Sequence, residues 1–161
     1  MTYRSRTCLR TFVAAAISVA ASLAGAGTLQ DGDPLPPLSL KDQHARSVAV
    51  SDDTRLVFLA AEMSSSKLMS KALEALPQSA LVDRSAIYIA DISSMPGPIS
   101  TLIAIPKMQK LSYPVAVVTN ASETSALPRR PGAVTVLRTQ GGRITGVHYA
   151  ATSEEVISYL K

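Results

Sequence analysis

The chain has 161 residues, with 16 Lys plus Arg against 12 Asp plus Glu, 47% hydrophobic residues, no Trp, two Phe and one cysteine. That length suits one domain, large enough to bury a core of Val, Ile, Leu, Ala and Met, and a lone cysteine rules out a disulfide framework. Arg4, Arg6 and Arg10 supply three of the basic residues, so the rest of the chain is near neutral and carries no overall charge footprint for nucleic acid or an anionic membrane.

The N-terminus reads as an address. Met1 to Arg10 is basic and free of acids, Phe12 to Ala24 is almost wholly apolar, and Ala24-Gly25-Ala26 is an A-x-A site. Those are the three parts of a secretory signal peptide, with cleavage expected after Ala26 and Ala24 as second choice. The apolar run is shorter than the roughly 20 residues of a membrane-spanning helix, although an uncleaved anchor is the competing reading. Cleavage would remove Cys8, the only thiol, and leave 13 basic against 12 acidic residues. The mature chain, 27–161, is expected in the periplasm or outside the cell, without stable membrane insertion.

Residues 27–37 (GTLQDGDPLPP) form an extended lead-in. Leu38 to Val50 suggests two short strands around a polar turn at Lys41-Asp42-Gln43-His44. Leu56 to Ala61 is a continuous apolar run, the mark of a buried parallel strand. Ser64, Ser65 and Ser66 then precede a helix whose apolar positions Leu68, Met69, Ala72, Leu73 and Leu76 share one face, and Pro77 stops it. One serine is expected as the cap; an anion-binding role at that helix start is the alternative.

Ala86 to Ala90 predicts a second buried strand. Pro98 opens a further helix with Ile99, Leu102 and Ile103 on its apolar face, and Pro106 should kink or divide it before Met108 and Leu111. Pro114 to Val118 predicts a third strand. Ala133 to Leu137 and Ile144 to Tyr149 predict a hairpin closed by Gln140-Gly141-Gly142-Arg143. Thr152 and Glu155 fit a capping box for a last helix that buries Val156, Ile157 and Leu160. Strands alternating with helices, then a hairpin and a final helix, predict an α/β domain with a mixed sheet flanked by helices.

This order resembles the thioredoxin superfamily, in particular the branch with the peroxiredoxins and the TlpA- and ResA-like disulfide reductases. The resemblance rests on the opening from Gly32 to Gln43, the strand Leu56 to Ala61, Tyr113-Pro114 before the third strand, Pro131 before Ala133 to Leu137, and the Gly141-Gly142-Arg143-Ile144 turn. It implies a thioredoxin-like fold. It also lays Met63 on the family's attacking cysteine and Ser66 on its resolving cysteine, with Lys67 following. That chemistry needs a thiolate. A thioether cannot ionise, a serine hydroxyl stays protonated near neutral pH, and the mature chain has no other thiol. The resemblance further places Pro131 at the family's cis-proline, which suggests a shallow basic-rimmed groove made by Met63, Ser64, Ser65, Ser66, Arg129, Arg130 and Pro131. Such a groove would suit an acidic or extended peptide; the plain alternative has the arginines solvated or paired with Glu62.

Other chemistries find less support. His44 and His148 are expected at the surface, with no G-x-S-x-G elbow to serve a nucleophilic serine. Met63, Met69, Met95 and Met108 could in principle meet Cu(I), but core filling explains such methionines better. No G-x-G-x-x-G follows a strand, so no cofactor is expected. The leading expectation is an exported binding or accessory module for an envelope protein or peptide. An oxidoreductase-related enzyme using a borrowed group, and a structural envelope or stress protein, are the alternatives.

Overall fold

The run Leu56-Val57-Phe58-Leu59-Ala60 forms a strand with every residue buried, because both of its faces are covered. Phe58 and Ala60 point into one apolar cluster, Val57 and Leu59 into another. The structure is a computed structural model and describes residues 28–161. The basic and apolar N-terminal segments, Cys8 and the expected cleavage site lie outside the described residues.

Among the described residues seven strands make one sheet: β1 (Ser39–Asp42), β2 (Ser47–Ala49), β3 (Leu56–Ala60), β4 (Ala86–Asp91), β5 (Ala116–Val118), β6 (Val134–Gln140) and β7 (Arg143–Ala150), in the order β2-β1-β5-β4-β3-β6-β7. β3, β4 and β5 run parallel, while β6 and β1 pair antiparallel at either side. The sheet is therefore mixed, as the alternation of elements predicted. α1 (Met63–Glu74) and α5 (Ser153–Leu160) pack on the Phe58 face through Met69, Ala72, Leu73, Val156 and Leu160. The Val57 face is closed by Leu29, Leu35, Leu38 and Leu127 from the lead-in and a loop. A short helix, α2 (Ala80–Asp83), adds Leu81 to the first cluster, and the sequence reading missed it.

The polar turn expected between β1 and β2 is present, and Asp42 builds it. Its Oδ1 accepts from the N–H groups of His44 and Arg46, each at 2.8 Å. The Asp42 N–H donates to Arg46 O at 2.8 Å, and the Ala45 N–H donates to Asp42 O at 2.9 Å. Ala45 closes the turn at φ 63°, a left-handed conformation that costs a residue with a Cβ about 1 kcal/mol or more. Ala45→Gly is expected to raise stability by about 0.5–1 kcal/mol, once the greater freedom of glycine in the unfolded chain is counted. Urea melts of the two proteins check this, and a lower midpoint for the variant would contradict it.

β5 starts at Ala116, two residues later than expected. Pro114 has no N–H to give a ladder, and Gln43 fills the gap. Its Nε2 donates to Tyr113 O at 2.9 Å, its Oε1 accepts from the Val115 N–H at 2.8 Å, and its own N–H donates to Val115 O at 3.1 Å. Between β6 and β7, Gly141 and Gly142 sit at φ 55° and 72°, which is why the tight hairpin needs two glycines.

The segment after β4 corrects the sequence reading. α3 (Gly97–Ile99) runs into a π-helical stretch (Ser100–Ala104) and then α4 (Ile105–Gln109). The Ile105 N–H donates to the carbonyl of Ser100, five residues back, so the helix is re-phased just before Pro106, whose ring would clash with an ordinary turn. The re-phasing turns Ala104, Ile105 and Met108 inward and half-buries them. Ile99, Leu102 and Ile103, expected on a buried face, are instead 46%, 74% and 62% exposed.

Candidate functional site

β3 ends at Ala60, and the chain passes through Ala61 and an extended Glu62 into α1, so Met63 is the first residue of that helix. The expected serine cap is not found: Glu62 is the N-cap, and the three serines lie in the first turn. Ser65 is buried, accepts from the Glu62 N–H at 3.1 Å and donates to Glu62 O at 2.9 Å, closing a capping box. The Glu62 carboxylate accepts from Ser64 Oγ at 3.1 Å and from the Gly132 N–H at 3.0 Å. The helix start thus already holds a negative charge, supplied by the chain itself, and this argues against a second anion there.

The bond to Gly132 brings the loop before β6 against the start of α1. Arg130-Pro131-Gly132-Ala133 is a turn closed by the Ala133 N–H donating to Arg130 O at 3.2 Å. Gly132 sits at φ 73°. Proline in the second position and a left-handed glycine in the third is a type II turn, which takes a trans proline. No cis peptide bond occurs among the described residues. The cis-proline expected at Pro131 is corrected accordingly.

The two arginines of the loop part company. Arg129 does not pair with Glu62. Its Nη2 reaches Asp91 Oδ2 at 2.7 Å and also donates to Thr124 Oγ1 at 2.8 Å and Thr124 O at 3.2 Å. Asp91 closes β4, its side chain is 2% exposed, and it also accepts from Thr124 Oγ1 and from the Ser93 N–H, each at 2.9 Å. Burial pushes the Asp91 carboxyl up, but the bonds from Ser93 and Thr124 and the Arg129 charge outweigh it and hold the group below its ordinary value. Arg130 lies over the Tyr149 ring, 4.2 Å from its centroid. The cluster of Asp91, Thr124 and Arg129 escaped sequence reading. Its one signal was an acid placed directly after the apolar run Ala86 to Ala90.

The structure therefore gathers Glu62, Met63, Ser64 and the Arg130–Gly132 turn at the end of β3. Met63 is 58% exposed, Ser64 and Pro131 are exposed, and Ser66 is half-buried. Burial pushes the hydroxyl of Tyr88 up, with the Ser66 hydroxyl beside it working the other way, so Tyr88 remains a neutral phenol. A groove of about 650 Å³ opens nearby, lined by Thr28 to Asp31, Pro128, Arg129, Val147 and Tyr149. Another, of about 510 Å³, lies between the β1–β2 turn and α4. Neither is lined by Met63 to Ser66. His44 is exposed in the β1–β2 turn, while His148 is half-buried on β7 with its ring centroid 5.7 Å from that of Tyr159, a departure from the expected surface position. They sit toward opposite edges of the sheet and cannot share a reaction. Met69 is fully buried, as core filling requires. Among the described residues no three His, Cys, Asp or Glu cluster as a metal site, and no helix is long and apolar enough to cross a membrane.

No family model matches this chain, and no curated relative matches it. Solved structures do resemble it. A proposed protein disulfide isomerase from Bacteroides thetaiotaomicron superposes with TM-score 0.57 at 16% identity, over 82% of this chain and 86% of that one. A peroxiredoxin-like protein from Aquifex aeolicus gives TM-score 0.53 at 13% identity, over 83% and 86%. The thioredoxin domain of a thiol-disulfide oxidoreductase from Bacteroides vulgatus gives TM-score 0.53 at 13% identity, over 83% and 100%.

Proposed function

From a thioredoxin-like fold that carries Met63 and Ser66 at the first turn of α1, we propose an exported protein that works by binding rather than by thiol chemistry. Its partner is an extended segment of another envelope protein, held at the mouth formed by Met63, Ser64 and the Arg130-Pro131-Gly132 turn. The observation that carries this reading is the exposed thioether of Met63 at that mouth. A flexible, polarizable methionine is an adaptable apolar anchor, and it offers no thiolate.

Two features add to it. The helix start is occupied by the Glu62 carboxylate, which would work against forming any further negative charge there. The turn beside it is tied to Glu62, and the loop behind it to Asp91, so the binding surface is pre-organised and a partner loses less freedom on docking. Arg130, exposed over Tyr149, supplies a cation for an acidic residue in the bound segment.

A photo-reactive side chain at position 63 of the exported protein tests the reading. One discrete envelope adduct is expected, and Arg130→Glu should weaken it about tenfold. Diffuse labelling unaffected by Arg130→Glu would overturn the binding site. The same preparation should show no insulin reduction or peroxide consumption above background, and its N-terminal sequence should begin at Gly27. Turnover in either assay would overturn the absence of thiol chemistry, and Met1 on the mature protein would overturn export with cleavage.

A further inference from the structure

From Ile92 to Ser122 the chain holds no Asp or Glu, although acids and bases are nearly balanced over the mature sequence. This stretch contains α3, the π-helical turns and α4, and it also carries the exposed aliphatics Ile99, Leu102 and Ile103. Pro106, Lys107 and Lys110 follow and are exposed too. Ile99, Leu102, Ile103, Pro106, Lys107 and Lys110 are thus among the side chains that this re-phased segment turns to solvent. The inward side is occupied differently: Met108 packs on the core, and Ile105 and Gln109 line the groove that also holds Lys41, Asp42 and Glu123. The outward side is thus apolar at one end, cationic at the other, and free of acids.

Three large aliphatics left in water at adjacent helical positions mark a docking surface. Their company decides the partner. A helix with an apolar face, lysines at its end and no carboxylate fits the interface of an anionic bilayer, where aliphatics enter the acyl boundary and lysines reach the headgroups. We propose that the 97–110 helical segment docks this protein on an anionic lipid surface. The near-neutral total charge conceals the local asymmetry that makes this contact. The envelope segment bound at Met63 would then be captured at the membrane face, but the lipid contact does not depend on that reading.

The test uses the exported protein, cleaved after Ala26 and so free of native cysteine, with an environment-sensitive NBD label on Leu102→Cys. With vesicles of phosphatidylglycerol and phosphatidylcholine at low salt, NBD emission should shift to the blue and brighten. Vesicles of phosphatidylcholine alone should give a much smaller response. A label on Ser158→Cys, on the exposed face of α5, should not respond. Lys107→Gln with Lys110→Gln should lower partitioning about 25-fold, since each surface lysine contributes about fivefold. Ile99→Asp with Ile103→Asp should abolish the shift while leaving the circular dichroism spectrum unchanged, because both residues are exposed.

An unshifted Leu102 label on protein that nonetheless floats with the vesicles would overturn the proposal, since another part of the chain would be the anchor. Equal shifts on charged and uncharged vesicles would overturn the charge argument and the proposal with it. A lipid-free blue shift that grows with protein concentration would assign the face to a second copy of the chain.

Discussion

Replacing Arg129 with Met is expected to cost about 2–3 kcal/mol at pH 7. Asp91 would keep its burial, at 2% exposure, and lose the one cation that pairs with it among the described residues. Removing one partner of a fully buried pair costs about 3–5 kcal/mol; the smaller figure reflects Arg129, whose side chain is 35% exposed and keeps part of its hydration. Asp91→Asn should cost less, about 1–2 kcal/mol, because the amide oxygen still accepts from Thr124 and the freed guanidinium can turn to water. The pH dependence separates this account from simple loss of packing. In the native protein the Asp91 carboxyl is held low, so its contribution is complete above the unfolded-state value of about 3.9 and is lost as the pH falls through the lower folded-state value. In Arg129→Met the bonds from Ser93 and Thr124 still oppose burial, but the opposing charge is gone and the carboxyl sits higher than in the native protein. Protonation then relieves the variant, and the gap between the two proteins should shrink from pH 7 to pH 3. Urea melts across that range measure it. A constant gap, or one below 0.5 kcal/mol at pH 7, would show that the pair does not hold the loop.

Gln43→Met should cost about 2–4 kcal/mol, a large part of the roughly 5–15 kcal/mol that holds a domain of this kind. The residue is 4% exposed and stands in for a backbone unit beside Pro114. Methionine fills similar space but leaves the Val115 N–H and the Tyr113 carbonyl buried and unpaired, each at about 1–3 kcal/mol. Gln43→Glu should cost at least as much at pH 7, because a buried carboxylate would face the Tyr113 carbonyl, and should recover as the pH falls and the protonated acid can donate to it. Amide exchange at Val115 should speed up in step with the lost stability. Native-like exchange there, with a loss under 1 kcal/mol, would mean that water or a shifted β5 replaces the side chain.

The two variants touch different parts of the molecule for one reason. Each removes a single polar side chain that reaches across tens of residues, to the segment leading into β5 or to the loop before β6. Asp91 meets Arg129 across 38 positions, and Gln43 meets Val115 across 72. Neither pairing leaves a periodic trace. The runs at Leu56, Ala86, Ala133 and Ile144 do leave one, and each became a strand where expected. Met63 was legible as a site residue only through the order of elements around it. Glu62, the residue that caps α1 and ties down the facing turn, was not, because a glutamate before a helix looks like any solvated acid.

By itself the sequence determined the order of the strands and of the helices α1 and α5, the two-glycine hairpin, the absence of a thiol after Cys8 and the placing of Met63 to Ser66 at a strand-to-helix junction. All of these follow from local composition and from periods of two or about 3.6 residues. Only the tertiary structure decided which acid caps α1, where each arginine goes, that Pro131 is trans within a type II turn, and that Ile99, Leu102 and Ile103 face outward. Those outcomes turn on whether a side chain meets an oppositely placed partner in space, or on a single re-phased helical turn. Short-range chemistry along the chain carries no record of either.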